Sequence, residues 1–202
     1  MKVVAVSQRV ELLPERNERR DALDQRLCAW LIGAGYLPVA VPNAYLAADS
    51  AGAPALQAWL ERVRPDAVLL SGGNGIGEAR ERDRTGLHLL AYAQERSLPV
   101  LGICHGMQLI GAWAGAMLTP VTGHVATRHA LRGGPNADVN SFHHYALSAC
   151  PAGFTVTAAA PDGCIEAIRH VSLPWEGWMW HPEREAAWQP GDLQRLRHLF
   201  GA

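Results

Sequence analysis

Lysine is almost missing from this chain: Lys2 stands alone beside 17 arginines, and 18 basic residues face 19 acidic ones for a net charge of −1. With no excess and no run of one sign, neither a nucleic-acid footprint nor attraction to an anionic membrane surface is expected. Cysteine is scarce too. The four present, Cys28, Cys104, Cys150 and Cys164, form no Cys-x-x-Cys pair, which excludes a disulfide scaffold and fits a reducing cytoplasm. The apolar run between Lys2 and Ser7 is too short for a secretory leader, so none is expected. Residues 97–127 carry no Asp, Glu, Lys or Arg. Pro99, Pro120, five glycines and polar His105 and Gln108 nevertheless make that stretch buried strand, turn and helix rather than a membrane span.

What is present is enough apolar material for a core. With 49% hydrophobic and 18% charged residues, the 202 residues read as one folded domain spanning 1–202. Residues 2–7 form a short β-branched run. Leu23, Leu27, Trp30 and Leu31 then predict a helix over residues 20–32, ended by Gly33-Ala34-Gly35. A strand at 37–41 precedes a helix marked by Leu56, Leu60 and Val63. A strand at 67–70 precedes one lined by Leu87, Leu90 and Ala91, and a buried strand follows at 100–103. Such alternation implies a parallel sheet covered by helices. Later the pattern turns antiparallel: 154–158 and 164–168 flank the turn Pro161-Asp162-Gly163, a short strand is expected at 178–180, and a helix closes the chain at 192–200.

The sharpest local feature is Gly102-Ile103-Cys104-His105-Gly106-Met107-Gln108, between a buried strand and a helical pattern. A nucleophile on a tight strand-to-helix turn needs small residues two before and two after it, because side chains there would strike backbone. Gly102 and Gly106 meet that need. The amino end of the following helix favours the thiolate and offers free N–H groups, of which that on His105 suits an oxyanion hole. A thiol nucleophile needs a base, and the base an orienter. His181-Pro182-Glu183, at the end of a strand, supplies both: Pro182 stiffens the link, so that Glu183 can accept the second imidazole N–H.

Cys104 with its glycines and His181-Pro182-Glu183 resemble the motifs of the class I glutamine amidotransferase superfamily, over nearly the whole chain. The resemblance implies a flavodoxin-like α/β fold: a central, mostly parallel sheet, helices on both faces and an added antiparallel hairpin. It also implies a Cys104, His181, Glu183 triad and amide hydrolysis without a cofactor. Leu70-Ser71-Gly72-Gly73-Asn74 resembles the family's oxyanion loop, with Gly73 joining His105 as donor and Gly72 beside the substrate. Gln108 and Ser141, Phe142 and His143 of the segment Asn140-Ser141-Phe142-His143-His144 match positions that hold the glutamyl α-groups.

The Val139-to-His144 segment and the pair Arg82-Asp83 are similar to the γ-glutamyl hydrolase branch. Relatives there often carry Glu where this chain has Gly86, which puts a polar support contact in doubt. Residues 7–10 and 17–26 resemble members of that branch acting on a nucleotide-linked substrate in bacterial capsule biosynthesis, with cytidine diphosphoramidate leaving. The implied ligand is therefore a small γ-glutamyl conjugate, nucleotide-linked in that case, bound in part by Arg9, Arg19 and Arg20. A second reading is a glutaminase subunit feeding ammonia to a separate synthetase, and a third a binding or regulatory protein without catalysis.

Other motifs carry less. Ser71-Gly72-Gly73 lacks the Asp-Ser that would complete a pyrophosphate loop, and no Walker loop is present. Adjacent His143 and His144 would face opposite ways on a strand, and no His-x-x-x-His pair exists, so no metal site is expected. Trp175, Trp178 and Trp180 are expected in the core or at a homodimer contact.

Overall fold

A computed structural model describes residues 1–46, 53–134 and 138–201. Strands β1 (Val3–Ser7), β2 (Arg9–Leu13) and β3 (Glu18–Ala22) lead into helix α1 (Gln25–Gly33). Then follow β4 (Leu37–Val41), α2 (Ala53–Val63), β5 (Ala67–Leu70), α3 (Arg80–Arg96), β6 (Val100–Ile103) and α4 (His105–Trp113). Beyond these, β7 (Leu118–Pro120), β8 (Val125–Ala130), β9 (Arg132–Gly133), β10 (Asp138–Phe142) and β11 (Tyr145–Leu147) form short ribbons and edges. The chain ends with β12 (Phe154–Ala159), β13 (Ile165–His170), β14 (Trp175–Trp178) and α5 (Pro190–Phe200).

Eight strands make one sheet in the order β4-β1-β5-β6-β14-β13-β12-β9. The first five run parallel, and β13, β12 and β9 extend them antiparallel. Fully buried runs such as Ala67–Leu70 and Val100–Ile103 belong in the middle of a sheet covered on both faces. One core joins Leu56 and Leu60 of α2, Leu89 and Leu90 of α3 and Met107 of α4. The other joins Leu27, Trp30 and Leu31 of α1 with Leu196 and Phe200 of α5. Helices thus cover both faces, as the alternation implies. Among the described residues no helix is long and apolar enough to cross a membrane.

Three local expectations need correction. The helix expected from residue 20 begins at Gln25, because Glu18–Ala22 pairs with Arg9–Leu13 as an antiparallel hairpin. Asn17, at φ 50°, turns that hairpin, and Asp24 caps α1 by accepting from the Arg26 N–H at 2.9 Å. The segment 18–22 has no apolar face to bury as a helix; Leu23 only happened to fall at helical spacing. The inward face of α3 carries Leu89, Leu90 and Ala93, while Leu87 and Ala91 are exposed. That face also takes in Arg82 and Thr85, polar residues that apolar periodicity cannot see. The last sheet strand is Trp175–Trp178, not 178–180. All three tryptophans are buried, with Trp178 and Trp180 stacked at 5.3 Å.

The hairpin β12–β13 forms as expected. The glycines flanking Cys104 sit where backbones touch. A Cβ on Gly106 would lie 2.1 Å from the Leu70 carbonyl oxygen, and one on Gly102 would lie 2.5 Å from the Gly106 carbonyl carbon. Gly106→Ala should therefore destabilise the fold by about 2–3 kcal/mol, since neither backbone can yield. Urea denaturation measures it, and an unchanged midpoint would show that β5 and α4 can part.

Candidate active site

Strands β5, β6 and β14 are neighbours in parallel register, with Gly102 opposite both Leu70 and Gly177. Their carboxyl ends consequently lie side by side, at the edge where open α/β sheets bind ligands. From that edge emerge the loop after β5, Cys104 after β6, and His181 after β14.

Cys104 sits at φ 50°, ψ −105°, a strained conformation for a residue with a Cβ. Its N–H donates to the Trp178 carbonyl at 2.7 Å, and its carbonyl accepts the first helical bond of α4 from Gln108 at 3.0 Å. Strand pairing on one side and helix on the other thus hold the turn. The thiol is buried but for 8% of the residue's surface and lines a cleft of about 390 Å3 together with Gly73, Asn74, Gln108, Phe142 and Tyr145.

The loop after β5 is gripped from behind by Arg82, whose residue surface is only 1% exposed. Its guanidinium donates to the carbonyls of Ser71 at 2.7 Å, Gly72 at 3.0 Å and Asn74 at 3.3 Å. In a trans peptide the C=O and N–H point opposite ways. Holding the Gly72 oxygen therefore turns the Gly73 N–H away from Arg82. Burial pushes the Arg82 guanidinium down to about 10, partly opposed by Asp83 and Cys104, so at neutral pH it stays a cation. Ser7 secures the loop's start, accepting from the Ser71 N–H and receiving the Ser71 hydroxyl on its carbonyl. Asn74 mimics a backbone unit, pairing with both the N–H and the carbonyl of Val10.

Neighbouring Asp83 ties this loop to the Cys104 turn. One oxygen accepts from the Gly77 N–H at 2.7 Å, and the other lies 3.0 Å from His105 Nε2. Burial lowers the His105 pKa against the pull of Asp83, which leaves a neutral ring donating through Nε2. Gly86 causes no polar vacancy: a Cβ there would lie 2.3 Å from Leu109, so the room a larger side chain would occupy is filled by α4.

His181 is buried, with Nδ1 2.7 Å from Glu183 Oε1. Burial alone would lower its pKa, but hydrogen bonds with the Cys104 side chain and Glu183 outweigh it and raise it to about 9. Its backbone is pinned by Asn140, whose amide accepts from the His181 N–H at 3.0 Å and donates to the His181 carbonyl at 2.8 Å. Gly72 gives the ring its space, since a Cβ there would lie 2.5 Å from His181 Cε1. Phe142 stands edge-on to the imidazole with ring centroids 5.9 Å apart.

Not every sequence candidate reaches the cleft in the same way. Gln108 lines it, with its amide donating to the Tyr145 carbonyl at 2.8 Å. Ser141 is fully buried and donates to the His124 carbonyl at 2.7 Å. His143 lines the cleft, but its imidazole is engaged away from Cys104, with Nδ1 3.1 Å from the Tyr145 carbonyl and Nε2 3.4 Å from Glu166. Arg9, Arg19 and Arg20 sit on the β2–β3 hairpin paired with Glu11, Glu81 and Glu18. Arg82, Asp83, Asn74 and Asn140 hold the candidate groups in place, and sequence reasoning assigned none of them that task. Only the recurrence of Arg82-Asp83 and the Asn140 motif in similar chains signalled them.

A parallel sheet presenting a strained cysteine beside a buried His–Glu pair is the build of an α/β cysteine hydrolase. The chain belongs to the class I glutamine amidotransferase family, whose sequence model, Glutamine amidotransferase class-I, matches residues 42–197, and it is a hydrolase acting on amide bonds. It is 30% identical over 140 residues to the γ-glutamyl-CDP-amidate hydrolase of Campylobacter jejuni, an alignment covering 66% of this chain and 69% of that one. It is 39% identical over 130 residues to the glutamine-hydrolyzing GMP synthase subunit of Methanosarcina barkeri, covering 59% of this chain and 65% of the relative. Among solved structures, a GMP synthase subunit candidate from Thermoplasma acidophilum shares the fold. Its TM-score is 0.74 at 21% identity, over 100% of this chain and 93% of that one.

Arg82→Met leaves three loop carbonyls without their buried donor. It should lower folding stability by about 1–3 kcal/mol and slow amide cleavage through the loosened loop. Urea unfolding and steady-state kinetics check this; unaltered values in both would remove Arg82 from any supporting role.

Proposed function

We propose that this chain is a standalone hydrolase of γ-glutamyl amides working through a thioester on Cys104. The observation that carries the reading is the strained Cys104 turn beside a His181–Glu183 pair whose imidazole is held protonated. The Cys104 thiolate attacks the γ-carbonyl carbon, while the Gly73 and His105 N–H groups hold the oxyanion. As the C–N bond breaks, the His181 imidazolium protonates the departing nitrogen and a γ-glutamyl thioester remains. Water then gives a proton to neutral His181, attacks the thioester and releases glutamate, and Cys104 leaves as thiolate. Glu183 keeps the imidazole oriented throughout.

The substrate in this proposal is γ-glutamyl-CDP-amidate, with cytidine diphosphoramidate leaving for capsule modification. The 30% identity to the Campylobacter jejuni hydrolase and the likeness of residues 7–10 and 17–26 support it. The glutamyl group occupies the cleft beside Gln108 and Phe142, and the diphosphate reaches the β2–β3 hairpin. There Arg9, Arg19 and Arg20 exchange their carboxylate partners for phosphate oxygens, a swap suited to the guanidinium fork. The rival, a glutaminase subunit serving a synthetase, is favoured by the 39% identity to the Methanosarcina barkeri GMP synthase chain.

Purified protein alone separates the two. A hydrolase carries its specificity in its own pocket and should cleave the nucleotide conjugate far faster than glutamine. Arg19→Ala and Arg20→Ala should lower kcat/KM for the conjugate and barely touch slow glutamine turnover. Glutamine as the preferred substrate, or strong activation by an added synthetase, would sink the hydrolase reading.

Cys104→Ala should abolish cleavage in a folded protein; full activity would remove the nucleophile. The raised His181 pKa sets the pH dependence. A group raised to about 9 keeps its proton below that pH and loses it above, so kcat/KM should hold through neutral pH and fall on the alkaline side. Glu183→Gln removes one source of the rise and should move that alkaline limb toward neutrality. An unmoved limb would deny Glu183 its part.

A further inference from the structure

Behind the cleft wall, strand β13 places Glu166 where it is 0% exposed, and apart from the neighbouring Cys164 thiol neither carboxylate oxygen has a hydrogen-bond partner. Three imidazoles converge on it: His124 Nδ1 at 3.4 Å, His143 Nε2 at 3.4 Å and His129 Nε2 at 3.5 Å, all from Oε1. None of these three nitrogens has a hydrogen-bond partner either. The outer nitrogens of two rings are already committed. His124 Nε2 lies 2.9 Å from Asp162 Oδ2, and His143 Nδ1 lies 3.1 Å from the Tyr145 carbonyl. Both of those partners are acceptors, so each neutral ring carries its proton outward and turns a lone pair inward. With one proton per ring, lone pairs then face a buried carboxylate, acceptors against acceptors, and a bound cation or an added proton would reconcile them.

The spacing says which kind. A tetrahedral ion with ligand bonds of about 2.0–2.1 Å separates its ligand atoms by about 3.3–3.4 Å. The Glu166–imidazole separations match that edge, while the ligand atoms of His124, His143, Glu166 and Cys164 span up to 4.8 Å, so the set would draw in on binding. Ligating histidines with their second N–H on a carboxylate or a carbonyl are the usual outer support of zinc. We propose that His124, His143, Glu166 and Cys164 form a structural zinc site, with His129 at its edge. Zinc suits this mixed imidazole, carboxylate and thiolate set, and binding would release the Cys164 proton. The ion would join the segment before β8, the end of β10 and strand β13. His143 stands between Phe142 and His144 in the wall of the cleft, so the metal would fasten that wall from behind. The sequence expectation of no metal rested on the opposite facing of His143 and His144 and on the absence of a His-x-x-x-His pair, neither of which reports on residues brought together from distant segments.

The test uses the full chain without a polyhistidine tag, dialysed against zinc and then washed. Elemental analysis should find about one zinc per chain, Tm should fall on chelation and recover when zinc returns, and Cys104→Ala should keep the ion. Glu166→Gln, checked for native circular dichroism, should lose it. Should that variant fail to fold, cobalt in the wild-type chain gives an independent reading. Tetrahedral cobalt bound by Cys164 should show strong visible bands and a thiolate charge-transfer band. Wild-type protein that retains no zinc and shows no Tm response, or that retains as much as a folded Glu166→Gln, would overturn the proposal. So would a zinc content that vanishes with Cys104→Ala.

Discussion

The close approach of three parallel strand ends governs the rest of this molecule. Because β5, β6 and β14 are adjacent and in register, the loop after β5, the Cys104 turn and the His181 segment leave the sheet within reach of each other. Gly102, Gly106 and Gly72 are the positions where that approach leaves no room for a Cβ: two against backbone, one against the His181 ring. The fold thus brings the groups together through close contacts of its own backbone.

Geometry alone would leave the groups poorly oriented, and the buried charges supply the remainder. Arg82 lies within the protein with its charge spent on three loop carbonyls, so the peptide units it holds turn their N–H groups elsewhere. His181 is pinned at its backbone by Asn140 and at its ring by Glu183. Both cations are desolvated, yet one is lowered and the other raised. Arg82 is met mainly by neutral carbonyls, whereas His181 meets Glu183 and Cys104, whose hydrogen bonds and charge outweigh burial.

The family frame and the parts that vary lie in different places. The central strands β5, β6 and β14 and the turns at their ends fall within the 42–197 region shared with the family, while β1, β4 and the β2–β3 hairpin lie before it. A ligand leaving the cleft toward that hairpin would meet arginines that already hold carboxylates. Surface segments such as this hairpin can vary while the sheet they stand on is kept.

By itself, the sequence determined the alternating strand–helix order, the two-sided burial of the central strands and the tight strand-to-helix turn at Cys104. Each of these follows from local rules: a period, a glycine spacing, a proline beside a histidine. It also marked Cys104, His181 and Glu183 as partners, since their residue types and strand-end positions are local too. The hairpin of Glu18–Ala22, the inward Arg82 and the group around Glu166 were decided only by the tertiary structure. A strand forms at 18–22 because Arg9–Leu13 offers it a backbone ladder. Arg82 turns inward because carbonyls eight to eleven residues earlier need a donor. His124, His143 and Glu166 are far apart along the chain, and only the folded chain brings the segments before β8 and after β10 up to β13. Periodicity reports which face of an element is apolar; it cannot report which polar atoms meet once those faces are buried.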